Sequence, residues 1–279
     1  MAADISGTVA YTPTGATVGT SIAASATLTT FTTTTAVSGG NWITLTFPAG
    51  TTLTTDNIVP GDFTIQETGA ASAATAPVSV VANNTAKTIT FILHPSSLST
   101  DTPGIGVFTI ALSGTAGGNE ITHPTTSTAA GTFSVATETG DTGSISTVSI
   151  VAGNLDHFDV ALTVAGTKTA NSDFTVTITA HDQYSNQTTK QTDGTALGTE
   201  TFTFTTNATA KGAGIPLYAT VDFTGAGQTD SLDITSGQVV SDNIRLFNAG
   251  ETPTITVSAE ATTAKTGTSA AITVGPATK

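Results

Sequence analysis

Ile43, Leu45 and Phe47 alternate with Thr44 and Thr46, so a strand through NWITLTF would carry three apolar side chains on one face and threonines on the other. Phe174, Val176 and Ile178 share one face in the same way within DFTVTITA (173–180). The two-residue period returns in 21–31, KTITFIL (87–93), GVFTIALS (106–113), FDVALTV (158–164), ETFTFTT (200–206) and PTITVSA (253–259). Between these runs lie FPAG, VPGD, ANN, HPSS, DTPG and AGGN, stretches rich in the residues that close turns. Many short alternating strands, with neither a helical period nor a βαβ rhythm, predict an all-β protein built as sandwich or barrel.

A boundary is expected within 144–152. GTFSVAT (131–137) reads as the last strand of one sheet, ETGDTGS as a small polar joint, and STVSIVAGNLDHFDV as a new series. Residues 1–147 and 148–279 are each long enough for one β-sandwich.

Composition sharpens this reading. Threonine supplies about a quarter of the 279 residues, whereas charged residues make up only 10%, against roughly 25% in an average soluble domain. A β-branched side chain suits a pleated surface, and its hydroxyl keeps the outer face wet without charge. LTTFTTTTAV (28–37) is the extreme case: nothing in it titrates, so it reads as building material. Seven basic against 20 acidic residues give a net charge of −13. That argues against nucleic acid and against an anionic membrane surface. With no cysteine, disulfides, thiolate metal sites and cysteine nucleophiles are excluded. No apolar run reaches the ~18 residues of a membrane-spanning helix. Met1-Ala2-Ala3-Asp4 lacks a basic n-region and an apolar h-region, so the expectation is a mature, exported chain found outside the cell or on its surface.

Longer stretches carry a resemblance. NWITLTFPAGTTLTTDNI, with the earlier VAYTPTGATVGTSIAASATLTT and the later ITHPTTSTAAGTFSVAT, resembles a β-sandwich module repeated in bacterial and archaeal surface-layer and adhesin proteins. AGNLDHFDV, FTVTITAHDQYSNQTT, AGETPTITVSA and GTSAAITV resemble the Ig-like modules of invasin-type and extracellular filament proteins; His181 stands where those modules carry a basic or small residue before Asp182. The resemblance implies two tandem Ig-like β-sandwich domains on a cell surface or in a fibre, without enzymatic activity.

Candidate chemistry is sparse. His94 and His123 each precede a proline, and no HxxxH or HExxH spacing marks a catalytic zinc. No GxSxG elbow, P-loop or dinucleotide fingerprint occurs. Asp-containing turns offer oxygens to a hard cation: Asp56 and Asp62 in DNIVPGD, Asp156 and Asp159 in NLDHFD, Asp182 and Asn186 in HDQYSN. Asp156, Asp159, Asp182 and Asn186 are the candidate Ca²⁺ ligands, with ordinary turn formation as the alternative. Asn83, Asn186 and Asn207 open N-glycosylation sequons. Lys87 and Lys168 are the candidates for an intramolecular Lys–Asn isopeptide bond. Trp42 is expected in the core rather than as a sugar platform.

Assembly is the remaining route to function. ISGTVAY (5–11) is set off by the turn TPTG; it either closes its own sandwich or swings out to complete another copy, with Ile5, Val9 and Tyr11 as the donated side chains. Such a head-to-tail contact does not close on itself and builds filaments. The expectation is a structural subunit of an extracellular filament or surface layer whose partner is itself. The alternative is an adhesin stalk or carbohydrate-binding module that meets cell-surface glycans.

Overall fold

The computed structural model describes residues 5–13, 15–68, 73–97, 106–113, 120–259 and 265–277. The expected turns DTPG (101–104) and AGGN (116–119) lie outside them. The chain divides into two compact units, Met1–Val151 and Ala152–Lys279.

The first unit opens with β1 (Ser6–Tyr11), β2 (Ala16–Thr17), β3 (Thr27–Thr32), β4 (Trp42–Thr46), β5 (Thr52–Leu53) and β6 (Phe63–Thr68). It continues with β7 (Ser79–Asn83), β8 (Thr88–Ile92), β9 (Val107–Leu112), β10 (Ile121–Thr122), β11 (Thr128–Thr137) and β12 (Thr142–Val151). One sheet runs β1-β3-β9-β6 and a larger one β2-β12-β11-β4-β8-β7, with β10-β5 as a small third pair. Their inward faces share one core, in which Phe31, Phe63, Phe91, Phe108 and Phe133 are at most 1% exposed. Burying a side chain of that size stabilises by roughly 1.5–3 kcal/mol. On β4 the predicted alternation holds: Ile43 and Leu45 are fully buried, Thr44 and Thr46 are half-buried.

Three expectations need correction here. The polar stretch ETGDTGS turns the chain from β11 into β12, which pairs back along β11 and so closes the first unit. Residues 21–31 form a strand only from Thr27, because Ala26 N–H closes a turn on the Ala23 carbonyl with Ser25 in the left-handed region; within the strand the register with β9 then shifts between Thr27 and Thr29. Trp42 is half-buried outside the core: it shares the outer face of β4 with Thr44 and Thr46 and pairs in register with Ile92.

The second unit contains β13 (His157–Leu162), β14 (Lys168–Thr169), β15 (Asp173–Phe174), β16 (Val176–His181), β17 (Thr199–Thr206), β18 (Leu217–Tyr218) and β19 (Val221–Asp222). After these come β20 (Gln228–Asp233), β21 (Gln238–Val240), β22 (Ile244–Arg245), β23 (Ile255–Ala259), β24 (Lys265–Thr268) and β25 (Val274–Gly275). The sheets are β13-β16-β21, β20-β17-β23-β24, β15-β22-β18-β19 and the pair β14-β25. A second core gathers Phe158, Ile178, Phe202, Phe204, Phe223 and Ile244, again nearly water-free.

The two units share a topological device. In each, a two-residue early strand runs parallel to the last strand, β2 beside β12 and β14 beside β25. Every other pairing between the named strands is antiparallel. In the first unit the entering chain thus pairs with one sheet through β1 and with the other through β2, whereas in the second β13 joins a sheet and β14 pairs with β25 alone. The architecture is an all-β protein of two sandwich units.

Outer faces use threonine pairs. Thr44 and Thr90 share a hydrogen bond at 2.8 Å, Thr256 and Thr268 at 3.0 Å, and Thr163 and Thr177 at 3.1 Å. Such cross-strand pairs contribute a few tenths to about 1 kcal/mol each. They also leave the surface neutral.

Candidate functional site

Strands β13 and β16 pair without interruption, His157 opposite His181 and Asp159 opposite Thr179. Phe158, Val160, Ile178 and Ala180 fill the core side. The strand period therefore places His157, Asp159 and His181 together on the outer face. The two imidazole rings meet edge to face, with centroids 5.6 Å apart. His157 Nε2 lies 3.8 Å from Asp159 Oδ1, and His181 Nδ1 lies 3.1 Å from Asp159 Oδ2. One ligand atom from each of the three residues falls within 4.8 Å of the others.

The surroundings orient the cluster. Asp156 Oδ2 is 3.1 Å from His157 Nδ1, and Lys265 Nζ reaches Asp156 Oδ1 at 3.5 Å. Because a carboxylate only accepts, Nδ1 of His157 carries the hydrogen of this bond. The hydrogen bond from His157, aided by Lys265, holds the Asp156 carboxyl below its ordinary value. Lys265 reaches this position because β24 packs closely on β13: a Cβ at Gly267 would stand 2.1 Å from the Phe158 carbonyl oxygen.

The residues expected to share a calcium ion are thus divided between two places. Asp156 and Asp159 belong to the histidine cluster. Asp182, 1% exposed, turns inward and accepts hydrogen bonds from the backbone N–H groups of Gly153, Tyr184 and Asn186, and from Asn186 Nδ2. Burial works to raise its pKa, but those donors outweigh it and hold the carboxyl below its ordinary value. Asp182 and Asn186 together staple the turn after β16 to the start of the unit. Asp62 does related work in the first unit, capping a short 3-10 turn by accepting from Val59 N–H at 2.7 Å.

The other candidates are placed as follows. Ile5, Val9 and Tyr11 are buried in the first unit's own core, and Ile5 N–H donates to the Thr142 carbonyl at 2.9 Å. Asn83 and Asn207 are exposed, whereas the Asn186 amide that would carry a glycan is engaged with Asp182. Lys87 reaches Asn84 at the surface, and Lys168 bonds the Val164 carbonyl and lies over the Phe174 ring. Neither meets the buried Asn–carboxylate partner that an isopeptide bond needs.

One structural site escaped the pattern reading altogether. Asp141, fully buried, accepts from the backbone N–H and side-chain hydroxyl groups of both Thr34 and Thr35. Two threonines of LTTFTTTTAV therefore form a buried clasp between the β3–β4 connection and the β11–β12 hairpin. No local signal marks it, since the partners are about a hundred residues apart.

No family model matches the chain, and no curated protein matches it. Among solved structures it is similar to the fibronectin(III)-like modules of Clostridium thermocellum CbhA, at 10% identity and a TM-score of 0.19, over 96% of this chain and 94% of that one. At that TM-score the likeness carries no correspondence of residues or of function.

Proposed function

We propose that this chain is a non-catalytic structural module of an extracellular filament or surface layer, joined to copies of itself through its sheet edges. The observation that carries the reading is β7, the terminal strand of the six-stranded sheet. Its sequence SVVAN holds no charge and no proline; Val81 is 65% exposed and the adjacent Val78 57%. Natural edge strands are usually blunted by charge, proline or a bulge, because unpaired N–H and C=O groups recruit further strands. The second unit's β20, an edge reading QTDSLD, carries Asp230 and Asp233. An uncharged edge beside neutral threonine faces favours addition of another strand.

The N-terminal strand offers a second way to join. Ile5, Val9 and Tyr11 are seated in their own sandwich, so donation takes the form of an exchange in which another copy's Ile5, Val9 and Tyr11 refill the same slot. Such swaps cost little because the contacts are preserved.

Negative-stain electron microscopy of concentrated full-length protein, Val81→Lys and a chain lacking residues 1–12 tests this. Fibres that vanish in Val81→Lys alone establish edge addition, and fibres lost only on truncation establish exchange. Dispersed particles from the full-length chain at every concentration overturn self-assembly and leave an adhesin stalk or glycan-binding module.

A further inference from the structure

We propose that His157, His181 and Asp159 form a binding site for a divalent transition-metal ion, with Zn²⁺ as the working ligand. The donor set is two imidazoles and a carboxylate, which suits zinc and its neighbours rather than the all-oxygen shell of calcium. Ligand atoms around a tetrahedral ion with bonds of about 2.0–2.1 Å stand roughly 3.3 Å apart. His157 Nε2 stands 3.8 Å from one Asp159 oxygen and His181 Nδ1 3.1 Å from the other, and one ligand atom from each residue lies within 4.8 Å of the rest, so a small closure brings the set to that edge. Asp159, with a side chain 61% exposed, is free to turn and close the remaining gap.

Two further features point to an ion. His181 Nδ1 is buried and makes no hydrogen bond, although Asp159 Oδ2 is only 3.1 Å away. A buried ring nitrogen without a hydrogen bond is costly, and a metal bond would satisfy it. The second feature is the outer support of His157. Its Nδ1 faces the Asp156 carboxylate, itself steadied by Lys265, while Nε2 faces Asp159. A carboxylate behind the non-ligating nitrogen is the usual way a zinc-bound histidine is held in the correct tautomer and orientation.

The site is open to solvent, and three protein ligands leave one tetrahedral position for water or an incoming group. Since the ligands come from two adjacent strands, bound metal would tie β13 to β16 and stabilise the folded chain increasingly as free metal rises above its Kd.

Isothermal titration of Zn²⁺ into the full-length, metal-stripped protein is the test, with Ca²⁺ as a comparison ion. One equivalent of Zn²⁺ is expected to bind and raise Tm, with Ca²⁺ producing no competition at equal concentration. His157→Gln and His181→Gln should each weaken binding at least 100-fold. Asp156→Asn, which only orients His157, should weaken it about 10-fold, within the range for outer-shell partners. Circular dichroism checks that each variant is folded; if His181→Gln is not, His157→Gln and Asp159→Asn carry the test. Absence of a zinc heat, or binding unchanged in folded His157→Gln, overturns the proposal, the latter by assigning the ion to His94, His123 or surface carboxylates.

Discussion

The ring of Tyr11 lies stacked on Phe133, with centroids 4.5 Å apart, and Phe47 meets both rings edge-on. The N-terminal strand is thereby part of the first unit's core. The Val9 side chain also packs close on β12, where a Cβ on Gly143 would come within 2.7 Å of it. Truncating Tyr11 to Ala is expected to cost about 3–5 kcal/mol, as for other large buried aromatics. Urea unfolding followed through Trp42, the single tryptophan, checks this. A peptide covering residues 5–12 should restore stability to a chain lacking residues 1–12. Unchanged unfolding of Tyr11→Ala would place the strand outside the cooperative core.

Asp182→Asn should destabilise the second unit by about 2–4 kcal/mol, because a buried, multiply bonded carboxylate is replaced by a group that brings its own donors. The folded pKa is depressed, so the contribution is present above the unfolded value near 3.8 and is lost as pH falls through the lower folded one. The difference between wild type and variant should therefore be largest at neutral pH and narrow in acid. A difference in Tm independent of pH from 7 down to 2.5 would contradict this account.

Glu200 presents the opposite sign. It is 4% exposed, with Oε2 buried and unbonded, and burial raises its pKa above the ordinary 4.5. Below that value folded and unfolded chains both hold the proton; as pH rises past it, the unfolded chain ionises first and stability falls. Glu200→Gln should be nearly neutral at pH 3.5 and stabilising at pH 7. Parallel urea titrations at the two pH values measure it, and a destabilised variant at pH 7 would refute it.

Gly267→Ala should be among the most damaging small substitutions in the chain, since its Cβ meets the backbone of Phe158. Separating β24 from β13 would cost about 2 kcal/mol or more, in the manner of core overpacking, and move Lys265 away from Asp156. Thermal unfolding of the variant against wild type provides the check; an unchanged Tm would show that the strands separate without penalty.

Much of the fold was legible in the order of residues. KTITFIL, GVFTIALS, FDVALTV and ETFTFTT each contain an observed strand, with Ile89, Phe91, Phe108, Ile110, Phe158, Val160, Phe202 and Phe204 inward as the alternation requires, while Val107 and Val164 are exposed. Strands β6, β7, β20 and β21 carry a weaker sequence signal. FTIQET puts Glu67 at an inward position where the alternation calls for an apolar residue, SVVAN runs two valines together, and QTDSLD at a sheet edge has little to bury. An edge strand is specified by the neighbour it pairs with, and that neighbour is distant in sequence.

The same limit applies to sites. Asp156, Asp159 and Asp182 could be picked out as oxygen donors, yet their grouping could not. Alternation of side chains along a strand is a local property, so it settled the all-β class, the identity of most core residues and the neutral threonine faces. Which residues meet across strands depends on register and on which sheet edge is left open. Only the folded chain set His157 against His181, gave Asp141 its two threonines and placed Asp182 beneath Gly153, because those distances are fixed by backbone pairing between segments that share no local signal.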